Sequence, residues 1–544
     1  MLTKKKKNQN IFKIFFFAFI YLLGLNIFKD YGIYADDEYQ RNNAFAWYTY
    51  IKSFAIELNL SFIGNLEKLV DNDIENITSS TIPSLQPVPL GIICEFFVDL
   101  FNITGSKDIY QFRHLFNFSI FFIGLFFFYK LIFKRFSSII LALVGVVFLF
   151  LTPRFFAESF YNSQDIFFLT LTIINIYTGF NFLKKPSLQT TLIFSLSSAL
   201  SLDTRIMAFL PIFLILVIFI LKCVRSTKFY KNYIKYIFYF VPTTAIFILV
   251  FWPYLWINPI TNFIFAISEL SSAAFLVSNL YFGKLILSTN IPSHYHIVWF
   301  FITTPLIIIF LFIIGSFLLL LRLLKRLNKL NNDSNDIWRG DKEMYDIYFF
   351  MLILISNLIF INKGLGYTGW RHLYFMYPSV IMISLYSIYF FNFILKNKII
   401  IIILYLLVII NLSYLAFWNY KFHPYQYVYF NLLNKKNFHK NFDMDYWALS
   451  NKNAISYILK NHNNFPVKVG TISFASLQKS LLILDETEKN KIIVTHNLKE
   501  ADFLITNYME KRSGNFIIDK KKYEKFHEIL VDDKPINTVY KKKN

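Results

Sequence analysis

Three short stretches of this chain gather acids, cations and aromatic residues that could carry acid–base and anion-binding chemistry. The first is Asp36-Asp37-Glu38-Tyr39-Gln40-Arg41-Asn42. Three adjacent carboxylates repel one another, which raises the pKa of at least one and suits a general base. Taken alone, three acids in a row fit a solvated loop or a helix N-cap better than a catalytic base. The second stretch runs from Pro153 to Asp165. Arg154 could neutralise a phosphate there, and Asp165 opens a helix, where an acid meets the positive end of the helix dipole. Equally, Arg154 could snorkel and Asp165 simply cap. The third runs from Tyr367 to Pro378, with Arg371-His372 beside Gly369 and several aromatics. Arginine grips phosphate oxygens in a bidentate manner, so this stretch reads as a phosphate clamp in preference to an aromatic belt with one anchoring Arg.

Other polar positions are weaker signals. Arg113-His114, the Trp252 to Pro259 segment and His423-Pro424-Tyr425 fit structural roles. Arg205 could join a phosphate site or pair with Asp203. His294 and His296 lie two apart, which could hold a metal on a strand, but no third ligand accompanies them. No cofactor is demanded by any motif, and a divalent metal stays open. Neither a Walker A loop nor a GxGxxG turn in a strand–helix setting occurs, so no nucleotide site is expected.

The elements that must position these residues are membrane helices. Of the 544 residues, 56% are hydrophobic, 20% aromatic and only 16% charged, with 66 Phe. A soluble domain is about a quarter charged. The apolar residues come in runs of about 18 to 25, long enough to cross a hydrocarbon core of roughly 30 Å as helix. About eleven spans are expected, near 11–28, 111–133, 138–152, 165–183, 188–203, 206–223, 233–255, 297–321, 345–361, 373–391 and 398–417. The first follows MLTKKKKNQN and lacks a small-residue cleavage site, so it reads as an uncleaved helix rather than a signal peptide.

The formal net charge is +21. On a soluble chain that would suggest nucleic acid. Here Lys and Arg fall in alternate short loops, among them Lys134-Arg135, Lys184-Lys185, Lys222 to Lys231 and Arg322 to Lys329, as the positive-inside rule requires. Topology and membrane lipids explain the charge, and no nucleic-acid partner is expected. The N-terminus is then cytoplasmic, and an odd number of spans puts the C-terminal region outside. Two outside segments are long: an acidic, partly amphipathic one from Asp30 to about Tyr110, and everything after about Asn419. The expected organisation is a transmembrane domain over 1–420, whose first outer loop (30–110) carries surface-lying helices, followed by an extracytoplasmic α/β domain over 421–544. That domain reads as a helix near 451–461, a strand near 467–473, a helix near 475–484, strands near 492–496 and 503–507, and a final strand or hairpin around 529–540. Cys94 and Cys223 fall on opposite sides of the membrane and should not pair. The fold class expected is a mainly α, polytopic helical bundle with a small C-terminal α/β domain.

The polar stretches fall on the outside ends of helices. A catalyst that uses a membrane-embedded polyprenyl-phosphate sugar needs such an arrangement: fixed positive charge for the phosphate leaving group and a carboxylate for the acceptor hydroxyl.

Asp37-Glu38, just after the first helix, resembles the Asp-Glu motif in the first outer loop of glycosyltransferase family 39, the protein O-mannosyltransferases, and relatives such as the bacterial lipid A aminoarabinose transferases, all of the GT-C superfamily. The segments 153–165, 252–259, 369–378, 423–431 and Asp443 to Ser450 are similar to bacterial members of that group. The resemblance implies a dolichyl- or polyprenyl-phosphate sugar donor, inversion at the anomeric carbon, Asp37 as the leading catalytic residue and Glu38 as its assistant. Asp165 matches the second acidic position loosely. Arg154, Arg371, His372 and Arg205 are assigned to the donor phosphate from their charge and placement. The chain lacks the β-trefoil-like insertion of the eukaryotic enzymes and the acceptor motifs of the aminoarabinose group, so a glycan, lipid or protein acceptor stays open. The location expected is the bacterial inner membrane. The main alternative is a transporter or lipid flippase, which should show paired halves and mid-span charges. A polysaccharide polymerase or ligase would carry its large outer loop late in the chain, not early.

Overall fold

The computed structural model describes residues 2–57, 85–272, 276–328, 341–363, 366–394, 398–434, 438–473, 475–509 and 518–543. Glu67, Asp71, Asp73 and Glu75 of the first outer segment lie outside the described residues. The described chain is a helical bundle with a small sheet near its C-terminus. Among the described residues eight helices are long and apolar enough to cross a membrane, or ten if two bent pairs each count as one span. Every expected span has a helix beneath it. The eleventh, Leu188–Thr204, has 17 residues and starts from a Ser187–Thr190 capping box. Its Ser-rich face is buried, with Asn175 donating to Ser198 Oγ at 2.9 Å.

Proline sets the main departures from the expected spans. Pro153 has no N–H to continue the Ile139–Leu151 helix. The chain turns by 68° there and starts a second helix, Pro153–Tyr161, where the sequence suggested only a turn. Pro305 likewise follows the break between Tyr295–Thr303 and Leu306–Asn328, which the sequence read as one span. Between the first helix and Ser106–Phe136, the described residues form the helices Asp37–Glu57 and Pro89–Leu100. Between Trp256 and Tyr295 the chain makes a helix, Pro259–Ser272, and a hairpin of β1 (Ser278–Tyr281) and β2 (Lys284–Leu287). The sequence had not indicated either.

Small residues let helices approach closely. A Cβ on Gly315 would stand 2.2 Å from the Ile383 carbonyl oxygen, so the Leu306–Asn328 and Tyr377–Ile394 helices touch backbone to backbone. The end of the bundle away from the acidic turn collects cations expected on inside loops. Arg135 donates to both oxygens of Asp346, at 2.7 and 2.6 Å, and Lys134 pairs with Asn181.

The C-terminal sheet has five strands in the order β4-β3-β5-β7-β6, with β3 at Val467–Thr471, β4 at Ile492–Val494, β5 at Phe503–Thr506, β6 at Tyr523–Val531 and β7 at Lys534–Lys542. β3 runs parallel to both β4 and β5, while β7 is antiparallel to β5 and β6. Asp532 and Asp533 join β6 to β7 with φ of 47° and 59°, the pair of left-handed residues that a tight two-residue hairpin needs. The Ser450–Asn461 helix covers the β6–β7 side of the sheet through Ala454, Ile455 and Ile458.

Candidate active site

The acidic turn sits where the first helix ends and Asp37–Glu57 begins. Its three carboxylates face three ways. Asp37 is fully buried. Its Oδ1 lies 3.3 Å from Arg113 Nη2, and its Oδ2 lies 3.9 Å from His114 Nε2. The same guanidinium donates to Glu95 Oε1 at 2.7 Å, so one cation serves two buried acids. Burial raises the Asp37 pKa to about 6, against the pull of Arg113 and Arg41. Asp36 is the open member, with a side chain 41% exposed and Oδ2 3.0 Å from Arg371 Nη1. Glu38 points to the C-terminal domain, 3.7 Å from Lys479.

Beside this turn, three chain segments converge on a cluster of two arginines, a histidine and Asp165. Asp165 lies in the first turn of Ser163–Lys184, held by Asn162, which accepts from its N–H at 3.2 Å and donates to its Oδ2 at 2.9 Å. Arg205, just past Leu188–Thr204, pairs with Asp165 Oδ1. Arg371 opens a 3-10 turn, Arg371–Met376, and its Nη1 is 3.8 Å from Asp165 Oδ2. His372 Nδ1 is 3.1 Å from Arg205 Nη1. Arg371 is buried between the rings of Tyr367 and Trp447, 4.8 and 4.7 Å from their centres. Asp203 takes no part in pairing Arg205, because its buried carboxyl has no hydrogen-bond partner among the described residues.

A second polar nest lies alongside. Arg154 is buried and donates to the Tyr446 hydroxyl at 2.8 Å. Its guanidinium also lies 5.3 Å from the Trp299 ring. Glu158 accepts from Tyr374 Oη at 2.8 Å, from Tyr446 Oη at 3.3 Å and from Asn162 Nδ2 at 2.6 Å. Asn162 therefore joins the two nests. Gly369, with φ at 81°, turns the chain just before Trp370, a backbone conformation that favours glycine.

Asp165, Arg205, Arg371 and His372 thus share one contact network, with Asp37 and Glu38 in the adjoining turn and Arg154 behind Tyr446. Asp36, Glu158, Asn162, Tyr374, Tyr446 and Trp447 were not assigned from the sequence. All lie in stretches whose composition drew notice, but nothing in the residue types says which neighbour reaches the cluster. Arg113-His114, which read as structural, supplies the cation for Asp37. His294 and His296 stand at the start of the Tyr295–Thr303 helix, not on a strand, and His296 packs 5.9 Å from the Phe360 ring. No three His, Cys, Asp or Glu side chains converge as a metal site among the described residues. Cys94 and Cys223 are both buried free thiols.

Hydrogen-bond satisfaction defines what the cluster can bind. Arg205 Nε, Arg371 Nε, His372 Nε2 and Arg154 Nε and Nη2 are buried and have no acceptor among the described residues. Buried donors are nearly always paired. The site therefore has room in its bonding, though not in its net charge, for a ligand rich in acceptor oxygens.

No family model matches the chain, and no curated protein does. Among solved structures it is similar to the crystal structure of ArnT from Cupriavidus metallidurans in the apo state. The two share 8% identity with a TM-score of 0.46, over 97% of this chain and 98% of that one.

Proposed function

We propose that this chain is a membrane glycosyltransferase of the GT-C type, which moves a sugar from a polyprenyl-phosphate donor to a hydroxyl on an extracytoplasmic acceptor. The observation that carries the reading is the set of buried donors on Arg205, Arg371 and His372 that have no acceptor among the described residues, gathered at one end of the bundle beside three carboxylates. A phosphate supplies oxygens for those donors. A carboxylate supplies the base.

In the reaction, the acceptor oxygen bonds to the anomeric carbon as the bond from that carbon to the phosphate oxygen breaks. The electron pair leaves on the phosphate, held by Arg205, Arg371 and His372. The hydroxyl proton passes to the acidic turn. A single displacement of this kind inverts the anomeric carbon. Asp37 is the assigned base, because burial keeps its affinity for a proton near neutrality. Glu38 assists, and Asp36 guards the Arg371 side of the same turn. Asp165 orients Arg205 and Arg371, and Arg154 steadies the wall through Tyr446. An apolar cavity of about 150 Å³, lined by Phe300, Phe312, Ile353, Met376 and Val380, begins at the far end of the turn that carries Arg371, and suits part of a lipid tail. The ionisable cluster lies at helix ends and not at mid-span, which favours a transferase over a transporter. The chain is assigned to the inner membrane with its N-terminus cytoplasmic and residues 421–544 outside.

Release of polyprenyl phosphate from polyprenyl-phosphate sugars, with an envelope lipid extract as acceptor, tests the reading. Wild type is expected to release it and Asp37→Asn is not. Equal release by both moves the base to Asp36, Glu38 or Asp165. No release by folded wild type from any donor removes the transferase assignment.

A further inference from the structure

The segment Asp443 to Ser450 links the bundle to the sheet, and its centre is built into the site wall. Asp445 is fully buried, and its carboxylate accepts from Tyr427 and Ser450. Asn507, at the end of β5, donates to the Asp445 carbonyl at 2.8 Å, and Asn537 of β7 donates to Ser450 Oγ at 2.8 Å. The sheet therefore fixes where Tyr446 and Trp447 stand. Ala448 takes a left-handed φ of 59°, which turns the chain directly after Trp447.

Each of these two aromatics serves an arginine. Trp447 is 1% exposed and presents its ring 4.7 Å from the Arg371 guanidinium carbon. Tyr446 accepts from Arg154 and donates to Glu158. The same region also grips the acidic turn. The Trp447 carbonyl accepts from Ala35 N–H at 3.0 Å. Lys452 Nζ donates to the carbonyls of Lys29, Asp30 and Tyr31 at 2.8, 2.9 and 3.1 Å. Lys479 donates to the Ala35 carbonyl at 3.2 Å. Gly32 lies so close that a Cβ would meet the Leu449 carbonyl oxygen at 2.9 Å.

We propose that the C-terminal domain completes the active site, with Trp447 as a positioning residue that holds Arg371 for the donor phosphate and Lys479 as one that holds the acidic turn for proton transfer. The proposal rests on the transferase reading above and gives the domain its task. It divides the labour: the Trp447 contact acts on donor binding, and the Lys479 contact on the chemical step.

The test measures donor KM and kcat for polyprenyl phosphate release by the full-length protein in detergent, for wild type, Trp447→Leu, Trp447→Phe, Tyr446→Phe and Lys479→Ala. Trp447→Leu is expected to raise donor KM about tenfold, the factor matching a lost cation–π contact of ~1.4 kcal/mol, with a smaller change in kcat. Trp447→Phe restores most of it, because a ring face remains. Tyr446→Phe, which keeps the ring and removes the acceptor of Arg154, also raises KM. Lys479→Ala, at a partly exposed position, lowers kcat about three- to tenfold at unchanged KM through misplacement of the turn. If Trp447→Leu does not fold, the Phe, Tyr446 and Lys479 variants still decide the split between KM and kcat. An active wild type with indifferent variants overturns this proposal alone, as does a loss that tracks thermal stability and is not rescued by Phe. A wild type that releases nothing overturns the transferase reading, and this proposal with it.

Discussion

The buried carboxyl of Asp37 gives the reaction a pH dependence that an exposed acid would not. Burial holds it at about 6 instead of the ordinary 3.8. If Asp37 must be ionised to take the acceptor proton, about a tenth of it is competent at pH 5 and about nine-tenths at pH 7. The acid limb of kcat/KM for polyprenyl phosphate release is therefore expected near pH 6. Glu95 shares Arg113 with Asp37, and its negative charge adds to the rise. Glu95→Gln removes that charge and frees Arg113 for Asp37, so the limb should move toward lower pH. Stability follows the same linkage. A carboxyl whose folded pKa is raised favours the folded state below the unfolded value, and that contribution is lost as pH rises from about 3.8 to about 6. The difference corresponds to ~3 kcal/mol at most. Thermal unfolding in detergent should show wild type losing stability over that window relative to Asp37→Asn, which cannot titrate. A limb near the ordinary carboxylate value, or one that ignores Glu95→Gln, would refute Asp37 as the base.

Three further outcomes follow from particular contacts. Arg371→Ala removes the guanidinium stacked on Trp447 and should raise donor KM at least tenfold, while inhibition by polyprenyl phosphate weakens in parallel. Arg135→Met leaves Asp346 buried without its bidentate partner at the opposite end of the bundle. It should cost ~3–5 kcal/mol in unfolding measurements with donor KM unchanged. Gly315→Ala places a methyl group 2.2 Å from the Ile383 carbonyl oxygen and must push two helices apart. Lower thermal stability is expected, by ~1–3 kcal/mol, and a wild-type melting temperature would contradict the close packing.

Much of this architecture was legible before folding. Spans declare themselves, because a helix in lipid must be apolar along its whole length and that run is written in consecutive residues. Lys134 and Arg135, from one of the cationic loops, reach Asn181 and Asp346 at the end of the bundle away from the acidic turn. Strands β3, β4 and β5 were readable from short apolar runs, and the β6–β7 pair partly so. Breaks within spans were harder. Pro153 and Pro305 were visible, but proline alone does not say whether a helix ends, bends or restarts.

What the sequence by itself determined, then, is the bundle and the stretches rich in chemistry, because those depend on local composition and period. Only the tertiary structure decided which side chain serves which partner. Asp36, Asp37 and Glu38 are consecutive and chemically alike, yet they meet Arg371, Arg113 and Lys479, which stand 335, 76 and 441 positions away in the chain. Helix rotation at the start of Asp37–Glu57 sends neighbouring residues to different faces, and partners so distant in sequence leave no local trace. Tyr446 and Trp447 make the same point. Their composition is that of any aromatic anchor, and only the packing of the C-terminal domain onto the bundle sets them against Arg154 and Arg371.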